Sequence, residues 1–595
     1  MKSLAQLNKY FLKYKWRFLL GIVFVIVQNF FAIYPAQLVR KSLDAVIKTL
    51  SDYQVSGADQ PALVSALSKT VLLFLLMIIG IGILRGIIMF MMRQTMIVMS
   101  RLIEYDLKND IYAHYQKLSL AFYRRNNTGD LVNRISEDVS RVRMYIGPAI
   151  MYTINLVVLF TLIIIIMFSV NTTLAFYVLL PLPFLSVSIY FVSAKMNSKS
   201  EDVQEQQSRL STFVQEAFSG IRVLKSFVKE TQSLSEFEKE SGDYKMKSME
   251  LVKINSMFFP LMLLLVGLST LLVVYIGGKE VIAGNITTGN IAEFIIYVNM
   301  LTWPVAALGW VTAIVQRAAA SQVRINEFLH TEPEIQSIDE NKIELKGEIE
   351  FRNVSFVYPE SGIHALDHVS FKVKPGESLA ILGKTGSGKS TVANLMVRMY
   401  DATSGEILFD GKPVESISLT GLRFSVGYVP QDVFLFSDTI GNNIAFGNGH
   451  GLNVMSEHSI HQAAKDAVIY DNIMEFDKKF ETLIGERGIT LSGGQKQRVS
   501  IARALIKNPK ILLFDDCLSA VDTQTEEQIL NNLKRQSEGK TAILISHRVS
   551  TVKHADRIIV LDGGKVMEAG THDDLLGRKG LYYELYEKQL MEELM

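Results

Sequence analysis

Cysteine is nearly absent. The 595 residues contain one, Cys517, so no internal disulfide framework holds this chain together. An excess of charge is absent too, with 61 Lys and Arg against 60 Asp and Glu. That balance excludes a chain that binds nucleic acid by bulk charge, which requires a basic surface. With 49% of the residues hydrophobic, it also excludes disorder, which combines low hydrophobicity with high net charge. The 13 prolines and 39 glycines are too few for a fibrous protein. What the chain does have is apolar residues in long runs, and its mean hydropathy is positive.

Those runs fall in residues 1–325, read as a membrane domain; residues 326–345 read as a linker and 346–595 as a soluble domain. Six segments are candidates for crossing a bilayer: 16–39, 66–92, 146–168, 172–194, 256–278 and 287–312. A hydrocarbon core about 30 Å thick needs roughly 20 apolar helical residues. Gly147 to Ala194 holds no charged residue, and Ser169-Val170-Asn171-Thr172-Thr173 is a turn that divides it into two halves, each long enough to span. Six such runs in series have no soluble explanation. The first run is too long for a removable signal and lacks a small-residue cleavage site. The stretch ahead of Trp16 is too short for a cysteine-protease-like domain.

Basic residues set the expected orientation. They gather in three places: the N-terminus (Lys2, Lys9, Lys13, Lys15, Arg17), the connection holding Arg101, Lys108, Lys117, Arg124, Arg125, Arg134, Arg141 and Arg143, and the connection from Lys195 to Lys253. The positive-inside rule makes these cytoplasmic, and six spans return the C-terminal domain to the same side. Residues 99–145 and 195–255 carry apolar residues at helical spacing with charge on the other faces. The spans are therefore expected to continue as helices beyond the membrane and to be joined at tips near 122–129 and 212–220.

Gln28, Asn29, Asn155 and Asn299 fall near mid-span, where a polar side chain either faces a cavity or bonds to another helix. Trp303 and Trp310 lie seven apart, on one helical face, with Pro304 able to kink it. Arg85 is expected near an interface, where its side chain can snorkel. No mid-membrane carboxylate pair is visible, which disfavours proton coupling or a dedicated cation path. An apolar or amphipathic cargo fits best.

The soluble part carries the chemistry. Ser378-Leu379-Ala380-Ile381-Leu382 reads as a buried strand, followed by Gly383-Lys384-Thr385-Gly386-Ser387-Gly388-Lys389-Ser390 and a helix from Thr391. This is a phosphate-binding loop in its required setting of strand, loop and helix. The glycines let backbone N–H groups turn toward an anion, and the helix N-terminus favours negative charge. Lys389 is expected to reach the β- and γ-phosphates and Ser390 to hold Mg²⁺. Ile511-Leu512-Leu513-Phe514 reads as a second buried strand, delivering Asp515 and Asp516 at its C-terminal end; Asp515 is placed to hold Mg²⁺. Leu491-Ser492-Gly493-Gly494-Gln495 opens another helix. It reads either as a simple capped helix or as a second anion site, for a nucleotide shared with another copy of the domain.

The order of these motifs resembles the ATP-binding cassette family. With six spans ahead, the whole chain is similar to half-transporters of the bacterial exporter type, of the multidrug and lipid kind. The resemblance extends to Tyr358 as the adenine-stacking aromatic, Gln431 (in Tyr428-Val429-Pro430-Gln431-Asp432) as a Mg²⁺-sensing residue, and His547 as the switch at the γ-phosphate. It also covers Gly485-Glu486-Arg487-Gly488 before the signature and Ser519-Ala520-Val521-Asp522 as a loop across a dimer interface. It implies an all-α six-helix transmembrane exporter domain followed by an α/β nucleotide-binding domain. It further implies ATP and Mg²⁺ as cofactors, with nucleotide held by Tyr358, Gly383, Gly386, Ser387, Gly388, Lys389, Ser390 and Thr391. Mg²⁺ would be held by Ser390, Gln431 and Asp515. Ser492, Gly493, Gly494 and Gln495 would face the nucleotide of a second half-transporter, with Asp522 at the dimer loop. The implied location is the cytoplasmic (inner) membrane, and the implied mechanism is alternating access.

In one respect the sequence departs from the family. Active members usually carry glutamate, as general base, where this chain has Asp516. The carboxylate is withdrawn by roughly 1–1.5 Å, the length of one methylene step, and a 1 Å misplacement can cost about 100-fold in rate. The expectation is one half of a heterodimer that lends an intact signature to a glutamate-bearing partner; a homodimer that uses aspartate stays open. The alternative function is a mainly ATP-binding, regulatory half. Fusion of membrane part to ATPase part, in that order, disfavours an importer.

Overall fold

The computed structural model describes residues 2–56, 60–337, 344–448, 456–485, 491–518, 523–536 and 539–594. The chain divides into two compact units. One comprises Met1–His114 and Gly129–Thr331, the other Tyr115–Thr128 and Glu332–Met595.

The first unit is helical. Five stretches are long and apolar enough to cross a membrane among the described residues: Lys15–Asp52, Ser65–Tyr115, Thr128–Val170, Thr172–Ser219 and Glu230–Ile282. The sixth expected segment, 287–312, lies within the helix Thr288–Leu329, which opens on a capping box between Thr287 and Asn290. The break expected near residue 171 is there. Asn171 is extended (φ −157°, ψ 119°) and its side-chain oxygen accepts from the Leu174 N–H at 2.8 Å, so one residue both ends a helix and caps the next. The second tip falls later than 212–220. Residues 212–219 contain neither Gly nor Pro, and the helix Pro181–Ser219 runs through them before Gly220 ends it. A short helix, Ile221–Ser226, then forms the tip.

Many side chains of the apolar helices point outward. Leu72, Leu76, Ile83 and Phe90 are all more than half exposed. A surface of that kind needs lipid or another helix against it. Several polar groups inside the unit are paired, whereas Gln28 Oε1 and Ser269 Oγ are buried with no hydrogen-bond partner among the described residues. Asn29 Nδ2 donates to Asn155 Oδ1 and to the Val25 carbonyl, both at 2.9 Å, so this pair bonds across helices, whereas Asn299 bonds back to the Ile295 carbonyl of its own helix. Glu293 is completely buried. It meets Arg40 Nη1 at 3.1 Å and accepts from the Tyr297 hydroxyl at 2.8 Å. Trp310 packs edge-on against Tyr152; the Trp303 side chain lies outside the described residues.

The second unit contains two sheets. Strands β1 (Ile349–Val357), β2 (His364–Val373), β4 (Ser404–Phe409) and β5 (Lys412–Pro413) form an antiparallel sheet in the order β2-β1-β4-β5. Strands β3 (Ser378–Gly383), β6 (Val426–Val429), β7 (Ile511–Asp515), β8 (Thr541–Ser546), β9 (Arg557–Asp562) and β10 (Lys565–Gly570) form a six-stranded sheet in the order β10-β9-β3-β8-β7-β6. All its pairings are parallel except β9 with β10. Strand β7 is buried along its whole length, as expected for a strand covered on both faces. The register pairs Leu382 with Ser546 and Asp515 with Ile545, so β3, β7 and β8 end together at one edge of the sheet. The core also takes in Ala121, fully buried among Phe351, Leu366, Val392 and their neighbours, although more than 220 positions separate it from them.

Candidate functional site

Parallel sheets bind ligands beyond the C-terminal ends of their strands, where helix N-termini and loops gather. Here β3 runs into the phosphate loop, and the helix Lys389–Met396 follows directly. Two glycines are forced by the backbone. Gly388 sits at φ +97°, and a Cβ there would lie 2.3 Å from the Ala365 carbonyl oxygen. A Cβ on Gly383 would lie 2.3 Å from that of Leu561. Lys389 Nζ donates to the carbonyls of Gly383 and Lys384, each at 2.8 Å, which folds the ammonium back over the loop. Burial lowers its pKa, while Asp516 and Asp515 oppose that shift. Ser387 Oγ is buried in the loop with no hydrogen-bond partner.

The carboxylates stand opposite. Ser390 Oγ donates to Asp515 Oδ1 at 3.1 Å. Burial pushes the Asp515 carboxyl up to about 6; neighbouring Asp516 and Asp432 add to the shift, and Ser390 and Lys389 restrain it. A half-buried hydroxyl beside a buried carboxylate is a hard-oxygen pair of the kind Mg²⁺ takes. Asp516 adopts φ +47°, a left-handed conformation that Asp tolerates better than most side chains. Its two carboxylate oxygens each lie 3.0 Å from His547 Nδ1, and Gln431 Nε2 donates to Oδ2 at 3.4 Å. Six residues expected from the sequence are thus gathered: Lys389, Ser390, Asp515, Asp516, His547 and Gln431.

Tyr358 is tied to the same helix, its hydroxyl 2.9 Å from Thr391 Oγ1. Ser492 and Gln495 form a reciprocal capping box at the start of the helix Gly493–Leu505: Ser492 Oγ accepts from the Gln495 N–H at 3.3 Å, and Gln495 Oε1 accepts from the Ser492 N–H at 3.0 Å. Among the described residues, no hydrogen bond joins Ser492, Gly493, Gly494 or Gln495 to the phosphate loop. Asp522 with Ser519, Ala520 and Val521, and Glu486, Arg487 and Gly488, lie outside the described residues. Sequence reasoning missed Arg124, whose guanidinium carbon lies 5.5 Å from the Tyr358 ring centre. The basic tip was visible in the sequence, but nothing there pointed to its target.

A phosphate loop with its Lys, Ser and Asp partners, in a chain that also carries several membrane-length helices, defines a membrane transporter driven by nucleotide hydrolysis. Residues 18–305 match the ABC transporter transmembrane region and residues 366–519 match the ABC transporter family. The chain is 37% identical over 493 residues, 82% of its length and 83% of the relative's, to a probable multidrug resistance ABC transporter ATP-binding/permease protein, YheI, of Bacillus subtilis. It is 33% identical over 593 residues, 100% and 97% of the two chains, to the multidrug resistance-like ATP-binding protein MdlA of Escherichia coli. It is 35% identical over 491 residues, 82% and 80% of the two chains, to the ATP-dependent lipid A-core flippase of Syntrophus aciditrophicus. The solved structure of a bacterial Atm1-family ABC exporter with ATP bound superposes with a TM-score of 0.76 at 28% identity, covering 98% of this chain and 99% of that one. The chain belongs to the ATP-binding cassette (ABC) exporters: it is a multi-pass membrane protein whose ATPase drives export, and half-transporters of this kind work as dimers.

Proposed function

We propose that this chain is one half of a heterodimeric exporter of apolar or amphipathic molecules, drugs or lipids, in the cytoplasmic membrane. Its N-terminus and ATPase domain would lie in the cytoplasm. The observation that carries the ATPase reading is the set of hydrogen bonds joining Ser390 to Asp515, and His547 and Gln431 to Asp516. In this reading the N–H groups of Gly386, Ser387, Gly388 and Lys389 cradle the phosphates, and Lys389 turns from its loop carbonyls to the β- and γ-phosphates. Ser390, Asp515 and Gln431 would hold Mg²⁺, which when bound neutralises phosphate charge. Tyr358 stacks on the base. Asp516 draws the proton from an attacking water, and His547 fixes that carboxylate and reaches the γ-phosphate. Ser492, Gly493, Gly494 and Gln495 would cap the nucleotide of the second copy, with Asp522 in the loop that crosses the dimer interface. ATP drives the cycle only in so far as it binds the closed dimer better than the open one.

The heterodimer rests on Asp516. Both of its oxygens are engaged by His547 Nδ1, and the side chain is one methylene short of the usual base. The lost reach is consistent with slow hydrolysis at this chain's own phosphate loop. A partner carrying glutamate, acting with this chain's intact signature, would supply the fast site. The same observation favours a second reading, a half that mainly binds ATP and regulates. The relatives' multidrug and lipid names support the cargo class.

The test is Mg-ATP turnover by this chain purified alone in lipid nanodiscs, beside Lys389→Ala and Asp516→Glu. Little wild-type turnover, a rise of at least tenfold with Asp516→Glu, and none with Lys389→Ala is the expected pattern. Brisk Lys389-dependent turnover by the unaltered homodimer would overturn the heterodimer.

A further inference from the structure

The helix Leu120–Arg125 lies, in sequence, between two membrane-length segments, yet it is part of the nucleotide-binding unit. Its Ala121 is buried in that unit's core, and Ser119 and Arg125 bond to Glu334 at 3.2 and 3.0 Å. Arg124 projects from this anchored helix. Its guanidinium carbon lies 5.5 Å from the ring centre of Tyr358 and 5.9 Å from that of Tyr400. Glu360 holds it there: Oε1 lies 3.6 Å from Arg124 Nη1 and accepts from the Tyr400 hydroxyl at 3.0 Å. Tyr358 is otherwise fixed by its hydroxyl on Thr391 and by edge-on contacts with Phe356 (4.9 Å) and Tyr400 (5.5 Å). Thr391 itself stands two residues after Lys389. One cation is therefore within cation–π range of two aromatic rings, one of them linked to the phosphate-loop helix.

We propose that Arg124 is a positioning residue for the nucleotide base, acting through Tyr358; the inference rests on the reading that Tyr358 stacks on that base. A base on the tyrosine gains more when the ring is already held in place, since an aromatic side chain free to turn loses that freedom on binding. The guanidinium, clamped by Glu360, restrains the ring. By linkage the effect is reciprocal: a base seated on Tyr358 strengthens the hold on Arg124 and thus on the helix Leu120–Arg125 by the same factor. The base, and not only the phosphates, would then report occupancy to this helix.

The experiment measures equilibrium affinity of the full-length protein for Mg-ATP and for Mg-tripolyphosphate, which has no base, together with steady-state ATPase kinetics in the Asp516→Glu background, where turnover is brisk enough to read. The proteins are wild type, Arg124→Ala, Arg124→Lys, Tyr358→Ala and the double variant Arg124→Ala/Tyr358→Ala. Arg124→Ala is expected to weaken Mg-ATP by about two- to fivefold, the size of one exposed cation–π contact. Tripolyphosphate affinity should be unchanged, the loss should appear in KM with kcat nearly constant, and Arg124→Lys should recover part of it. In the Tyr358→Ala background the Arg124 effect should vanish. An equal loss for tripolyphosphate, an undiminished loss without Tyr358, or no loss at all would overturn the proposal. If Tyr358→Ala alone leaves ATP affinity untouched, it is the base-stacking reading of Tyr358 that fails, and this inference with it.

Discussion

Asp515→Asn is expected to make the nucleotide-free protein more stable while abolishing its Mg²⁺-dependent turnover. The Asp515 carboxyl sits in the folded protein with a pKa of about 6 against an ordinary 3.8, chiefly because it is buried. A difference of about two pH units, at 1.36 kcal/mol each, is about 3 kcal/mol. The sign follows from proton binding. Below pH 4 both folded and unfolded chains hold the proton, and the site costs nothing. Between pH 4 and 6 the folded state keeps a proton that the unfolded state has lost, so stability falls as pH rises. Above pH 6 the full cost is present. Asparagine keeps the shape and a hydrogen-bonding oxygen for Ser390 but carries no charge. At pH 7.5 in EDTA the variant should therefore melt higher, by up to about 6–12 °C if about 1 kcal/mol moves a domain of this size by 2–4 °C. The gap should shrink toward pH 4.5. With saturating Mg-ATP the order should reverse, because only the wild type gains binding stabilisation from the ion. Thermal melts of the full chain in nanodiscs, at three pH values with and without Mg-ATP, read all of this. A variant that melts at or below the wild type at pH 7.5 in EDTA would refute the argument that burial of this charge is costly.

Two further outcomes follow from the geometry. Gly388→Ala should cost nucleotide affinity at least tenfold, because the added methyl lies 2.3 Å from the Ala365 carbonyl oxygen at a φ that alanine resists; isothermal binding of ATP measures it. A double-mutant cycle on Asn29→Ala and Asn155→Ala, followed by denaturation in detergent, should give a coupling of about 0.6–1 kcal/mol, the usual worth of a hydrogen bond between membrane helices; zero coupling would mean that the 2.9 Å contact adds nothing.

What could be read in advance was what is local. The phosphate loop announces itself because strand, glycines, lysine and helix are contiguous, and the turn at Asn171 because an Asx cap is a short-range device. The helix end at Gly220 was legible in kind but placed too early, since the hydrophobic pattern weakens several residues before the first true breaker. Partnerships across long separations were legible only where the family resemblance supplied them, as for Ser390 and Asp515. Nothing local in the sequence marks Glu293 for burial; its buried carboxylate is paired with Arg40, more than 250 positions away. The guanidinium of Arg124 over Tyr358 is hidden for the same reason. Nor could the sequence say that Asp516, though short, meets His547, because that contact depends on a left-handed backbone turn after β7.

The burial of Ala121 in a core otherwise built from residues beyond 344 has a consequence in time. A ribosome adding 5–20 residues per second needs roughly 20–90 s to travel from Ala121 to the end of β10. Throughout that interval the helix Leu120–Arg125 has been made but its seat has not. Something must keep that apolar tip from mispairing while the later strands are still being synthesised. Residues 332–595 produced as a fragment would never receive it and would carry an apolar vacancy at the surface. Maturation of the ATPase unit is thus gated by a piece of chain made long before the rest of it.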